Sequence, residues 1–330
     1  MNVDELIILL QRLLENNPLV VLGSGASIDY GLPSMADLAK EICRHSHHDV
    51  AFADLCAKLA SGMDLESAIN DCSLPDDVFC FVQNIVWDCV CSSDYQYFTV
   101  IDHNNATIQL VKKLLRPSGN KCTIVTTNYD RIVEYAVDIA GATIVTGFEG
   151  SLIKKFETVA PNKKIERVRA RNKTVELWKV HGSLDWFTST TNEVLSYPLS
   201  KEILTGHRPL IIPPGNEKMR LSHNEPYRTT IAEADKSIIK AGAYLCVGYG
   251  FNDEHIQSKI IDEIQKGKPI VVLARTMTCR CRELIVNNSN VQKYLILEKN
   301  PSGDTLATYH GGSLSVPGNL WQLSEFLEKW

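Results

Sequence analysis

The sequence contains no Cys-x-x-Cys pair. Its ten cysteines are scattered over 330 residues, and the closest are Cys89-x-Cys91 and Cys279-x-Cys281. A zinc ribbon built from two such pairs is therefore excluded. No apolar run approaches the roughly 20 residues that a membrane-spanning helix needs, so no membrane partner is expected. Neither sign of charge dominates, with 34 Lys and Arg against 39 Asp and Glu. A net charge of −5 argues against a general nucleic-acid coat, although it leaves room for a local basic patch. Internal repeats and low-complexity segments are absent. The leucine-rich first turns carry Asp4 and Glu5 where a secretory signal needs positive charge, and Gln11-Arg12 interrupts the run. This predicts a cytoplasmic protein with reduced thiols.

What is present is an ordinary globular composition, 44% hydrophobic and 22% charged. A chain this long can bury most of its apolar surface without staples. Short runs that are apolar on both faces alternate with helical spacing. Strands are predicted at 19–22, 122–127, 142–145, 175–180, 243–247, 269–274 and 294–298. Helices are predicted from Asp4 as a cap to Leu14, from Met35 to Arg44, from Tyr129 to Ala140, from Pro226 to Lys240, from Asn252 onward with Ile256, Ile260 and Ile264 on one face, and from Leu320 to Trp330. Residues 184–224 read as loops and short strands. Fully apolar strands between helices predict an α/β fold, a doubly wound, Rossmann-like parallel sheet. Between about residues 45 and 118 the pattern is almost wholly helical, including Asp76 to Cys91 after Pro75. That block is expected to be a helical module inserted into a single domain spanning residues 1–330.

Gly23-Ser24-Gly25-Ala26-Ser27 follows the first strand and is expected to open a helix. Such a turn lets backbone N–H groups approach a pyrophosphate, aided by the helix dipole. It departs from the G-x-G-x-x-G fingerprint because Ile28 stands at the third glycine position. No Gly-Lys-Ser/Thr follows to make a P-loop, and no central Ser makes a nucleophile elbow. Taken alone, the turn fits a tight strand-to-helix connection as well as a phosphate site.

Three segments together carry more. Gly23-Ser24-Gly25-Ala26-Ser27 with Gly31-Leu32-Pro33, Thr126-Thr127-Asn128-Tyr129-Asp130, and His181-Gly182 resemble the signature segments of sirtuin-like domains, in the family's order and each at a strand end. Val247-Gly248-Tyr249-Gly250 resembles the later glycine turn that contacts the cofactor, and Ile270 to Arg275 the strand beside the adenosine. The resemblance spans residue 19 to about residue 300. It implies a sirtuin-like fold that binds NAD. It also implies that Asn128 positions water and ribose, that Asp130 contacts nicotinamide or ribose, and that His181 is the general base. Gly23, Ser24, Gly25, Ala26, Ser27, Thr127, Gly182, Gly248, Tyr249, Gly250 and Arg275 are the implied cofactor contacts. Bland uses exist for the same side chains: Asn128 as a helix cap, Asp130 at a helix N-terminus, His181 as a turn histidine. His45, His47 and His48 cluster without matching cysteines and read as a solvated helix end.

The sequence departs from the protein-deacylating sirtuins in two places. Pro33 is followed by Ser34-Met35-Ala36 rather than Asp-Phe-Arg, and no cysteine occurs from 142 until Cys246. No zinc ribbon and no metal are therefore expected. Trp186-Phe187, shortly after His181-Gly182-Ser183, resembles the sirtuin-like branch of bacterial antiviral defence. That resemblance implies an NAD glycohydrolase that takes NAD as substrate and depletes it. It further implies a homo-oligomer and a separate ATPase or nucleic-acid-sensing subunit as partner. A deacylase, an ADP-ribosyltransferase and a non-catalytic NAD or ADP-ribose sensor are the alternatives. The basic segment 163–173 is a candidate contact surface, or a solvated hairpin.

Overall fold

The computed structural model describes residues 2–115, 120–157, 173–198, 200–214 and 223–330. In chain order the elements begin with α1 (Val3–Leu13), β1 (Leu19–Leu22), α2 (Met35–Ile42), α3 (Val50–Ala60), α4 (Leu65–Asp71), α5 (Asp76–Thr99) and α6 (Ala106–Leu114). There follow β2 (Lys121–Thr126), α7 (Ile132–Ile139), β3 (Thr143–Val145), β4 (Phe148–Gly150), β5 (Lys154–Phe156), β6 (Thr174–Lys179), β7 (Gly182–Thr188), β8 (Val194–Ser196) and β9 (Arg208–Ile211). The last part holds α8 (Tyr227–Lys240), β10 (Tyr244–Val247), α9 (Glu254–Gln265), β11 (Ile270–Ala274), the short α10 (Cys279–Cys281), β12 (Tyr294–Lys299), β13 (Thr305–Tyr309), β14 (Gly312–Val316) and α11 (Leu323–Lys329).

A nine-stranded sheet has the order β14-β13-β12-β11-β10-β1-β2-β6-β3. Its pairings from β3 to β12 are parallel, and β13 and β14 extend it as an antiparallel hairpin. Alternate residues of each parallel strand face opposite cores. Val20 and Leu22 face the core that includes α1, α6, α7 and α11, whereas Leu19 and Val21 face the one that includes α8 and α9. The same split recurs at Leu245 against Cys246 and at Val271 against Val272. Covering both faces is what the continuous apolar runs require, so the doubly wound α/β arrangement follows from them.

A second, five-stranded sheet, β4-β5-β8-β7-β9, is antiparallel. It packs against α5, where Trp87 Nε1 donates to Leu184 O at 3.0 Å and Gln83 Nε2 to Ile211 O at 2.7 Å. Helices α2 to α5 share one apolar core with Leu184, Phe187 and Ile211 of this sheet. Phe187 is buried in that core, and the adjacent Trp186 is buried against Phe148.

Several boundaries differ from the sequence expectation, each for a local reason. Asn2 rather than Asp4 caps α1, in a capping box with Glu5. After β1 the chain forms two 3-10 turns, Ser24–Ala26 and Ile28–Tyr30, not an α-helix. Gly31, at φ +81°, closes the second turn, and Pro33 follows close behind. The first α-helical N-terminus is then Ser34, whose capping box with Asp37 starts α2. The glycine turn therefore has no long helix dipole behind it. Helix α7 starts at Ile132 instead of Tyr129, because Tyr129 O receives Leu184 N and Lys179 Nζ. Helix α5 runs on to Thr99, past the expected end at Cys91. In that extension Asp94 is fully buried and paired with Arg131. The basic segment 163–173 lies outside the described residues apart from Lys173.

Candidate functional site

Strand β1 sits between β2 and β10, and the chain reverses its direction of travel across the sheet there. Open α/β sheets bind ligands outside the carboxyl ends of strands at such a switch point. Four strand ends meet at this place: Leu22 leads into Gly23, Thr126 into Thr127-Asn128, Lys179 into Val180-His181, and Val247 into Gly248.

The Asn128 side chain is held in one orientation. Its Nδ2 donates to Gly23 O at 2.9 Å and to Ser27 Oγ at 3.0 Å. Ser27 Oγ in turn donates to Asp130 Oδ2 at 2.8 Å. A carbonyl only accepts, so the amide nitrogen must face Gly23. Oδ1 is then the atom that Asn128 has left to offer the cavity it lines. The backbone below is stitched as well. Thr126 Oγ1 donates to Leu22 O at 2.9 Å and accepts from Asn128 N at 3.0 Å. Asp130 Oδ1 accepts from Ile132 N at 3.2 Å, so each of its carboxylate oxygens already holds a protein donor. Burial pushes the Asp130 carboxyl above its usual range, with Lys179 opposing the shift.

Beneath this segment lies a buried ionic layer. Lys179 Nζ donates to the carbonyls of Tyr129, at 3.1 Å, and of Asp130, and contacts Glu134 Oε1 at 2.8 Å. Burial raises the Glu134 carboxyl to about 7, and Lys179 counteracts it in part. Arg131 forks onto Asp94 through Nε at 3.0 Å and a terminal nitrogen at 2.7 Å, and Tyr135 OH donates to Asp94 at 2.6 Å. These pairs fix the course of residues 128–131, which is how a long-range network sets the Asn128 geometry.

His181 Nε2 lies 2.7 Å from Asp253 Oδ2, and both side chains are largely buried. Asp253 caps α9 by accepting Ile256 N at 3.1 Å. Nothing in the sequence marks Asp253 except its place at the start of a helix whose apolar face is clear. The neighbouring Gly182, at φ +87°, is buried, and a Cβ there would collide with the Leu210 carbonyl. Its glycine is explained by the close crossing of β7 and β9.

Two adjoining cavities hold the remaining candidates. One of about 180 Å³ is lined by Gly23, Ser24, Ser27, Thr127, Asn128 and Asp130, together with His181 and Asp253. A larger cleft of about 930 Å³ runs past Gly25, Ala26, Gly248 and Arg275 toward Lys299 and Trp321. Ser24, Tyr249, Gly250 and Asn252 border both. Gly182 lies outside both cavities. At their junction the glycine turns interlock: Gly25 N donates to Gly248 O at 3.1 Å, and a Cβ on Gly248 would fall on the Gly25 backbone. Leu38 of α2, Glu66 of α4 and Val90 of α5 also line the smaller cavity, residues the sequence patterns did not single out.

All ten cysteines are free thiols. Among the described residues, no group of three or more His, Cys, Asp or Glu is placed to hold a metal ion. No described helix is long and apolar enough to cross a membrane.

Residues 122–295 match the SIR2-like domain family. The chain belongs to that family. A Sir2 enzyme solved for its mechanism and regulation superposes with a TM-score of 0.50 at 14% identity, covering 99% of this chain and 97% of that one. A Sir2 homolog–NAD complex gives 0.47 at 15% identity, over 89% of this chain and 88% of that one. A Sir2 homologue mutant bound to ADP ribose gives 0.48 at 13% identity, over 85% and 88%. No curated protein matches the chain. At these identities the likeness concerns the fold: this SIR2-like chain shares the sirtuin α/β architecture.

Proposed function

We propose that this SIR2-like chain is an NAD glycohydrolase, cleaving NAD to nicotinamide and ADP-ribose with water as the acceptor. The observation that carries the reading is the oriented Asn128, whose Oδ1 borders a cavity at the switch point beside His181. In the reaction the bond between C1′ and the pyridinium nitrogen breaks, and its electron pair stays on that nitrogen as neutral nicotinamide leaves. A water oxygen then bonds to C1′, and His181 takes the water's proton. The sugar passes through an oxocarbenium-like state. An amide oxygen can hold the water, and the carboxylates of Asp253 and Glu66 line the same cavity, suiting a positive charge that develops there. The larger cleft beyond Gly248 would take the adenosine part, with Arg275 at its wall.

The family membership supports chemistry on NAD, and the NAD and ADP-ribose complexes among the similar folds agree with it. We further infer a single domain over residues 1–330 with its helical module near 45–118 as an insertion, and a role as an NAD-depleting effector in anti-phage defence. The sequence likeness around Trp186-Phe187 supports that role, with a homo-oligomer and a separate ATPase or nucleic-acid-sensing subunit as the expected assembly. A second reading, transfer to an acyl-lysine, is favoured by the apolar wall of Leu32, Leu38 and Val90. Incubation of the purified chain with NAD, with and without an acetylated peptide, separates the two. Equal amounts of nicotinamide and free ADP-ribose, independent of peptide, are expected. Nicotinamide release that requires the peptide would overturn the hydrolase reading.

A further inference from the structure

The geometry points to Asp253 as the residue that positions His181 for proton transfer. We propose that Asp253 keeps the His181 proton on Nε2, leaves Nδ1 as the acceptor, and stabilises the imidazolium formed when that acceptor takes a proton. The reaction step rests on the glycohydrolase reading; the pairing itself does not.

The contact is direct, 2.7 Å between His181 Nε2 and Asp253 Oδ2, with side chains 11% and 6% exposed. A carboxylate accepts only, so it selects the tautomer that carries the proton on Nε2. Both partners stand on fixed backbone. Val180 N donates to Thr126 O at 3.1 Å, and Ile212 N donates to His181 O at 2.9 Å. Asp253 is held through Oδ1 by Ile256 N at 3.1 Å and through its carbonyl by Tyr249 OH at 3.3 Å. Two residues before it, the fully buried Phe251 sits at φ +59°. A bulky side chain in the left-handed region is strained and persists where its surroundings over-determine it. Here the ring packs on Tyr249 at 4.8 Å, so the turn that presents Asp253 to His181 is held in a costly conformation.

Other titratable groups surround the imidazole. Asp130, Glu66, Tyr129 and Tyr249 share its cavity, and Asp235 of α8 and His255 of α9 lie behind it. Among the described residues, Asp253 is the group in ion-pair contact with the ring. A carboxylate in contact with the ring stabilises the positive charge that forms there when Nδ1 takes a proton.

Asp253→Asn tests this, since Asn caps a helix about as well as Asp. Thermal melting is expected to stay close to wild type. With NAD as substrate, kcat should fall about 10²-fold or more while KM changes little. An unchanged kcat would reduce Asp253 to a helix cap and overturn the proposal. Nitrogen-15 NMR of the neutral His181 ring shows which nitrogen carries the proton and needs no turnover. If the wild type releases no nicotinamide, the glycohydrolase reading fails, and the tautomer alone decides. A proton held on Nε2 in the wild type and shared between the two nitrogens in Asp253→Asn then sustains the pairing, and the same distribution in both overturns it.

Discussion

Asn128 uses both amide hydrogens on the protein itself, one on the Gly23 carbonyl and one on the Ser27 hydroxyl. Its orientation therefore depends on Ser27, and Ser27 depends on Asp130. Ser27→Ala should release the amide and leave one buried Asp130 oxygen without its donor. A stability loss of about 1–3 kcal/mol is expected, with a larger fall in kcat than in NAD affinity; denaturation and steady-state kinetics read the two effects. Lys179 acts at the same place from below, holding two carbonyls of the segment and Glu134. Lys179→Met should cost about 1–3 kcal/mol by leaving the Tyr129 and Asp130 carbonyls without their donor, and urea denaturation checks it. Glu134 gives the protein a pH signature. Its folded value of about 7 lies above the ordinary 4.5, so the folded state holds that proton more tightly. The Glu134 contribution to stability is thus fully present below about pH 4.5 and is lost as pH rises through about 7. Denaturation midpoints measured across this window should decline with pH in wild type, with a weaker slope in Glu134→Gln.

The turns after β1 and β10 are read best as one element. Gly23, Gly25 and Gly248 are needed because two backbones cross there, and Gly248 also sits at φ +58°. Gly248→Ala should lower the melting temperature markedly and weaken NAD binding together, since the turn cannot keep both its contact and its shape. A variant that melts as wild type would contradict this account. The presence of these turns was legible in sequence, but their reason was not. A glycine pattern looks the same whether the close neighbour is a phosphate or another loop. The 3-10 geometry after β1 was hidden for a related reason, because Gly31 and Pro33 end the helix only once Ser27 has been drawn toward Asn128 and Asp130. Strand ends carrying Asn128 and His181 were readable because each follows an apolar run of fixed length. Asp253 was not, because its partner lies 72 positions away in sequence (253 − 181) and the local pattern shows only a helix start.

At the scale of the molecule, the parallel sheet was written in strands apolar on both faces, and those strands fix the switch point where the candidate residues gather. The five-stranded sheet was not written so plainly. Its strands are short and reach their buried state by leaning on α5, through Trp87 and Gln83, a contact no local periodicity records. Helix α5 is thus tied to the five-stranded sheet, and Leu38 of α2, Glu66 of α4 and Val90 of α5 complete the smaller cavity. The proposed reaction in this cavity is hydrolysis of NAD with the help of an oriented Asn128. Its most direct test is product analysis after incubating NAD with wild type and with Asn128→Ala, at matched folding. Nicotinamide and ADP-ribose should form in equal amounts with the wild type and fall at least about 10²-fold with the variant. Equal turnover by the two proteins, or intact NAD after incubation with the wild type, would contradict it.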